Sequence, residues 1–148
     1  MVLGDTESEL ELNIAGNSAS SSLLEMLHSH VKAAPQSKYI GKEKVAVHRL
    51  DGLDDFRIND AKRIYLKIDT QGYELPVLQG SQGMMDRVVG VQLEMSVIPL
   101  YKGQALYQDL IAWLEKAGFE MWGVQPGFMN KKTGQMLQFD GILFKTKN

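Results

Sequence analysis

The strongest constraint on this chain begins at Ile64. Ile64, Leu66 and Ile68 alternate with Tyr65, Lys67 and Asp69, the period-2 pattern of a strand with two unlike faces. The strand runs into a polar turn, Thr70-Gln71-Gly72, and then into Glu74-Leu75-Pro76-Val77-Leu78, which predicts a short helix closed by Gly80. Pro76 falls in the first turn, where a missing N–H costs nothing, and Glu74 lies at the positive end of the helix dipole. A strand ending in Asp-x-x-Gly ahead of a helix puts a carboxylate at the carboxyl edge of an α/β sheet. Open α/β sheets bind ligands at that edge. Asp69 is therefore either a ligand-side group or the cap of the next helix, and spacing alone does not choose.

The segments before this unit are looser. Met1-Val2-Leu3 is the tail of an apolar run that goes directly into Gly4-Asp5. Leu10, Leu12 and Ile14 alternate with Glu11 and Asn13, a strand with one wet face. Gly16 to Ser22 is a hydroxyl-rich loop, read as a flexible connector with a ligand-site lining as the alternative, and a helix is expected from Leu23 to Val31 with one of those serines as its cap. Pro35 to Lys44 reads as loop, and Val45 and Val47 as a short strand that extends at most to Arg49-Leu50. Asp51, Asp54 and Asp55 invite a calcium reading, yet the ordered spacing and closing glutamate of an EF-hand loop are missing. Turn formation and helix capping explain them better.

Beyond the unit, Val89, Val91, Leu93 and Met95 alternate with Gly90, Gln92, Glu94 and Ser96. A parallel strand covered by helices on both sides is apolar throughout, so this one has a polar face to satisfy. Lys67 is expected to meet Gln92 or Glu94 there, because a buried ammonium needs a partner. Gln104 to Ala117 is the clearest helix, with Leu106, Leu110, Trp113, Leu114 and Ala117 in one stripe and Gly118 as the stop. Phe119 to Val124 and Gln135 to Phe144 read as a terminal antiparallel hairpin joined through Lys131-Lys132-Thr133-Gly134. The layout is α/β, with short strands and loops over 1–60 and an α/β half-sheet over 61–148 in a single domain.

Composition narrows the partners. A chain of 148 residues, 44% apolar and 23% charged, fits one globular domain. Its net charge of −2 lacks the basic footprint of nucleic-acid binding. No apolar run approaches the roughly 18 residues that span a bilayer, and no signal peptide opens the sequence. Without cysteine there is no disulfide, thiolate nucleophile or cysteine zinc site. A cytoplasmic location with a small-molecule partner, and neither nucleic acid nor membrane, is the expectation.

Three carboxylates stand out by position. Asp69 and Glu94 fall near the ends of two parallel strands and Asp140 near the start of the final antiparallel one, so all three approach one edge. Gathered acids there accept a proton, bind a metal or hydrogen-bond a ligand hydroxyl. Taken singly, Glu94 and Asp140 fit slightly better as partners of a backbone N–H or a lysine. His28 and His30, two apart, face different ways on a helix, and with His48 they read as surface or loop histidines. Gly-x-Ser-x-Gly and Gly-x-Gly are both absent, which removes the hydrolase elbow and the usual nucleotide fingerprint. No metal site is expected.

Leu66-Lys67-Ile68-Asp69-Thr70-Gln71-Gly72-Tyr73-Glu74, followed by Val77-Leu78-Gln79-Gly80, closely resembles the signature of FkbM-type methyltransferases. Leu3-Gly4-Asp5, Val47-His48-Arg49-Leu50-Asp51, Val91-Gln92-Leu93-Glu94 and Phe139-Asp140-Gly141-Ile142-Leu143-Phe144 resemble further family segments in the family's order. The resemblance implies an S-adenosylmethionine-dependent methyltransferase acting on hydroxyls of sugars or natural products. It implies a partial, doubly wound, Rossmann-like sheet. Asp69 and Glu94 become catalytic candidates, Asp5, Asp69, Gln71 and Gly72 cofactor-binding candidates, and Glu74 and Asp140 substrate-side candidates.

The family's glycine turn and ribose-binding acid precede the segment that Leu3 resembles. The chain thus resembles the carboxyl-terminal portion of such an enzyme and is expected to bind the cofactor weakly or not at all. The alternative is a non-catalytic α/β remnant acting through self-association or a partner. The family's strand order, 3-2-1-4-5-7-6, would leave 4-5-7-6 as a half-sheet whose first strand, Ile64 to Asp69, becomes an edge. That edge is expected to be covered by the Leu10–Ile14 strand or by a second copy in a homodimer.

Overall fold

The alternation at Ile64 does form a strand. In the computed structural model, which describes residues 1–17 and 19–146, the chain begins with β1 (Val2–Leu3), β2 (Ser8–Ala15), α1 (His28–Ala33), β3 (Tyr39–His48) and α2 (Phe56–Asn59). The central unit follows as β4 (Ile64–Ile68) and α3 (Glu74–Gln79). The chain then continues through β5 (Val88–Ser96), α4 (Tyr107–Lys116), β6 (Phe119–Pro126) and β7 (Gln138–Lys145). Ser18 of the serine-rich loop lies outside the described residues.

The result is a mixed α/β structure with two sheets. The first is three-stranded, ordered β1-β3-β2, and the second is four-stranded, ordered β4-β5-β7-β6. β4 runs parallel to β5, and β7 is antiparallel to both β5 and β6. Ile68, Val91, Leu93, Met95 and Leu143 share one buried cluster with Val77 and Leu78 of α3 and Leu110 and Leu114 of α4. Each fully buried leucine there contributes about 1.5–3 kcal/mol. No helix among the described residues is long and apolar enough to cross a membrane.

A few close contacts lock the two sheets together. Arg49, just past β3, donates to both oxygens of Asp51 at 2.9 and 2.7 Å and to the Asp5 and Gln79 carbonyls at 2.6 and 3.3 Å. Asp51 also accepts the Gly83 N–H at 2.8 Å. Asp55 caps α2 by accepting the Arg57 N–H at 2.9 Å. The acidic run is thus used for turns, caps and an ion pair.

Several boundaries depart from the sequence expectation. The Pro35–Lys44 stretch is not loop throughout, because β3 starts at Tyr39 and pairs along the whole of β2. Its run of charges hid it. On a ribbon exposed on both faces, alternation marks no core, and opposite charges on facing strands stand in for it: Lys42–Glu11 and Lys44–Glu9 lie 3.6 Å apart. The helix expected over Leu23–Val31 is α1, shifted to His28–Ala33, and no side chain caps it. Ser22 and Met26 instead form β-bridges to Asn13 and Tyr101. Lys67 is exposed and has no hydrogen bond or ion pair among the described residues. Its expected partner Gln92 is taken by Asp140 at 2.7 Å. Nor does the Leu10–Ile14 strand cover β4, since β2 is committed to β3.

Candidate functional site

The carboxyl ends of β4 and β5 and the start of β7 converge, because Ile68 pairs with Leu93 and Glu94 pairs with Asp140. This register makes Asp69 and Glu94 neighbours at one sheet edge. The link between them is Gln71, whose Nε2 donates to Asp69 at 2.7 Å and to Glu94 at 3.2 Å. Its Oε1 accepts the Tyr101 hydroxyl at 3.0 Å, and its carbonyl accepts the Ser22 hydroxyl at 2.6 Å. Gln71 has φ 51°, in the left-handed region that non-glycine residues rarely occupy. Four hydrogen bonds hold it there.

Glu94 is a strongly perturbed acid in the cluster. Burial, with the charges of Asp69, Glu74 and Asp140 adding to it, pushes its carboxyl up to about 7. Its Oε2 accepts from Gln71 and, at 2.9 Å, from Gln138 Nε2, while Oε1 has no partner among the described residues. One oxygen is therefore held and the other is free to take a proton.

Glu74 plays a different part. It is buried, and its Oε1 accepts the Thr70 and Gly72 N–H groups at 3.2 and 3.0 Å. Burial raises its titration, and those backbone N–H bonds oppose the rise. The residue laces the turn after β4 into shape. Gly72, at φ 96°, lies where an added Cβ would come within 3.0–3.1 Å of the Tyr101 ring. The missing side chain is what lets that ring pack onto the turn.

The remaining candidates spread out. Asp140 accepts Gln92 Nε2. Asp5 holds Arg49 through its carbonyl, and its charge adds to the burial that raises the Tyr73 titration. It makes no hydrogen bond to Asp69, Gln71 or Glu94. Among the described residues no three His, Asp or Glu side chains gather as a metal site would.

Sequence reasoning missed several residues at this edge. His30, read as a surface or loop histidine, is 3% exposed. Its ring lies edge-on to Tyr101, with centroids 5.1 Å apart, and 5.5 Å from Phe128. Its Nδ1 is buried with no hydrogen-bond partner, a cost of roughly 1–3 kcal/mol if nothing meets it. No spacing rule marks His30, because α1 has barely two turns. Gln138 was detectable in principle, as it continues the polar alternation of Asp140 on the strand facing Glu94.

Compared with known protein families, residues 2–121 match the Methyltransferase FkbM domain. The Phe139–Phe144 stretch lies beyond the matched segment. No curated protein and no solved structure matches the chain. The match covers most of the chain and includes β4, the turn carrying Gln71 and Gly72, α3 and Glu94, so the chain belongs to the FkbM methyltransferase domain family.

Proposed function

We propose that this domain serves S-adenosylmethionine-dependent O-methylation of a small-molecule hydroxyl, with Glu94 as the proton acceptor. The observation that carries it is the Glu94 carboxyl: held by one oxygen, free at the other and raised to about 7. A general base works best when it titrates near the operating pH. With the cofactor bound to supply the methyl group and leave as the neutral thioether, Glu94 would take the proton that the hydroxyl gives up. Gln71, and Tyr101 through it, keep that carboxylate oriented, and orientation accounts for much of such a reaction's rate.

When bound, the cofactor supplies an electrophilic methyl group on a positively charged sulfur. The donor set suits that charge: Asp69, Glu74 and Glu94 lie together, and none of them has an ion-pair partner among the described residues. Asp69, Gln71 and Gly72 would hold the sulfonium side, and Asp5 the adenine side by family resemblance. Methyl-labelled cofactor at saturating concentration offsets the weak binding expected from the sequence, and with a small-molecule extract the protein should then label a hydroxyl with an acid limb in its pH profile near 7. Glu94→Gln should reduce the rate by about 100-fold or more, the scale of general-base catalysis. Equal labelling by Glu94→Gln would reject the base assignment.

A second reading is a non-catalytic module that self-associates. It is favoured by the outer edge of β4, which pairs with no strand among the described residues, and by the exposed Tyr65 and Trp122. An antiparallel pair of β4 edges centred on Leu66 would set Tyr65 of each copy against Lys67 of the other. Centring on Lys67 would oppose two like charges. Light scattering giving a monomer at all concentrations would reject this reading.

A further inference from the structure

We propose that a cavity of about 530 Å³ between α1 and the β6–β7 connection binds a small phosphate monoester with an apolar body. The inference goes beyond the methyl-transfer reading and does not rest on it. Asp69, Gln71, Glu94 and Gln138 do not line this cavity, and its β6–β7 wall falls outside the residues matched to the family. Lys32 of α1 and Lys131 and Lys132 of the connection do line it, and no aspartate or glutamate does. None of the three lysines has an ion-pair partner among the described residues. The chain as a whole carries a charge of −2, so this local excess of cations is made by the fold. Like charges gathered on one rim repel, and an anion between them turns the repulsion into attraction. A phosphate monoester carries close to two negative charges near neutral pH. It therefore suits three ammonium groups better than a singly charged carboxylate.

Both walls are held by the chain itself. Asn130 Oδ1 accepts the Lys132 and Thr133 N–H groups at 3.0 and 3.3 Å. The Asn130 carbonyl accepts the Gly134 N–H, and the Asn130 N–H donates to the Gln135 carbonyl, both at 2.8 Å. Gly134, at φ 74°, supplies the left-handed step that closes this turn. On the other side α1 is anchored by the Leu27 N–H to the Leu100 carbonyl and the Ser29 hydroxyl to the Pro99 carbonyl, both at 2.8 Å. A preformed site loses less freedom on binding. Between the walls Ala33, Ile98 and Leu137 give the cavity apolar surface, and Leu137 packs with Leu100 and Tyr101 in a buried cluster. Inorganic phosphate would use the lysines and leave that surface wet. An apolar body covers it, and its burial adds to the charge attraction.

The test uses the whole nitrogen-15-labelled protein without cofactor, at about 0.15 M salt, where charges on open surface are largely screened. Phenyl phosphate is the probe, with inorganic phosphate, benzoate and benzyl alcohol as controls. Phenyl phosphate should shift the amides of residues 29–33 and 130–137 saturably at one site per chain, and every control should bind more weakly. Lys32→Gln should weaken binding about threefold and Lys131→Gln with Lys132→Gln about tenfold, as exposed charges do. All three lysines are exposed, so thermal midpoints should stay at that of the parent. Lys42→Gln with Lys44→Gln removes the same charge from the β2–β3 ribbon and should leave affinity unchanged. No saturable shift, shifts confined to the Asp69–Glu94 edge, or unchanged affinity in either lysine variant would overturn the proposal. So would an equal loss in the ribbon variant. Inorganic phosphate binding as well as the probe would mean an adventitious ion only, and equal binding of benzoate or benzyl alcohol would remove the phosphate. Pelleting with phosphatidic acid vesicles in place of phenyl phosphate binding would overturn it in favour of a membrane surface. No turnover is read, so this result and the Glu94→Gln labelling result can fail separately.

Discussion

Gln71 and Glu94 meet at 3.2 Å across the ends of two adjacent parallel strands, one residue in a strained turn and the other an acid raised to about 7. The left-handed backbone of Gln71 aims its amide at Asp69 and Glu94 together. Strain of this kind costs on the order of 1 kcal/mol and persists where the surroundings over-determine it.

Replacing Gln71 by Glu should therefore act on the neighbouring acid more than on the fold. The amide donor is lost and a further negative charge arrives beside Asp69 and Glu94. The Glu94 titration, followed by carboxyl carbon-13 shifts, should move up from about 7. A downward or null shift would mean that the two side chains do not share this edge in solution. Gln71→Gly should keep stability within about 1 kcal/mol, since relief of strain offsets the lost bonds.

Glu94 also sets a pH dependence of stability. Its folded-state titration, about 7, lies above the ordinary 4.5, so the folded protein holds a proton that the unfolded chain releases. That stabilisation is fully present below about 4.5 and is lost as pH rises through about 7. Allowing for partial exposure, its size is on the order of 1–3 kcal/mol. Denaturant unfolding should show the decline, and Glu94→Gln should flatten it. Some slope should survive, because the Glu74 titration is raised as well. A parent protein whose stability rises from pH 5 to 7 would contradict this.

Gly80 joins the two sheets by close approach. A Cβ there would collide with the Gly4 carbonyl, and the Gly80 carbonyl accepts the Asp51 N–H at 2.9 Å. Both obstructing groups are backbone, so relief requires the sheets to separate. Gly80→Ala should cost about 2 kcal/mol or more, a fall of roughly 4–8 °C in thermal midpoint. Gly41→Ala, where an added Cβ meets nothing within 4 Å, is the control. Equal midpoints for the two variants would refute this account of the junction.

Arg49 offers a test of geometry against charge. Its guanidinium holds both Asp51 oxygens and two carbonyls, which an ammonium cannot match. Arg49→Lys should lower the denaturant midpoint at unchanged slope. An unchanged midpoint would make the fork irrelevant.

The parts legible in sequence were those written in local patterns. The Ile64–Ile68 alternation, the Glu74–Gln79 helix after its turn, the Leu110 and Leu114 stripe and the stop at Gly118 (φ 89°) all depend on residues within a turn or two of each other. Family membership was legible for the same reason, because its signature is one continuous run. Tertiary structure alone decided the rest. The first part of β3, before Val45, was hidden because its partner β2 lies across a loop and their charges are satisfied only once paired. The Glu94 titration is set by Asp69, Glu74 and Asp140, which are brought together by strand register. His30 became a site residue only when Tyr101 and Phe128 closed around it, and burial by distant segments leaves no periodic trace in the sequence.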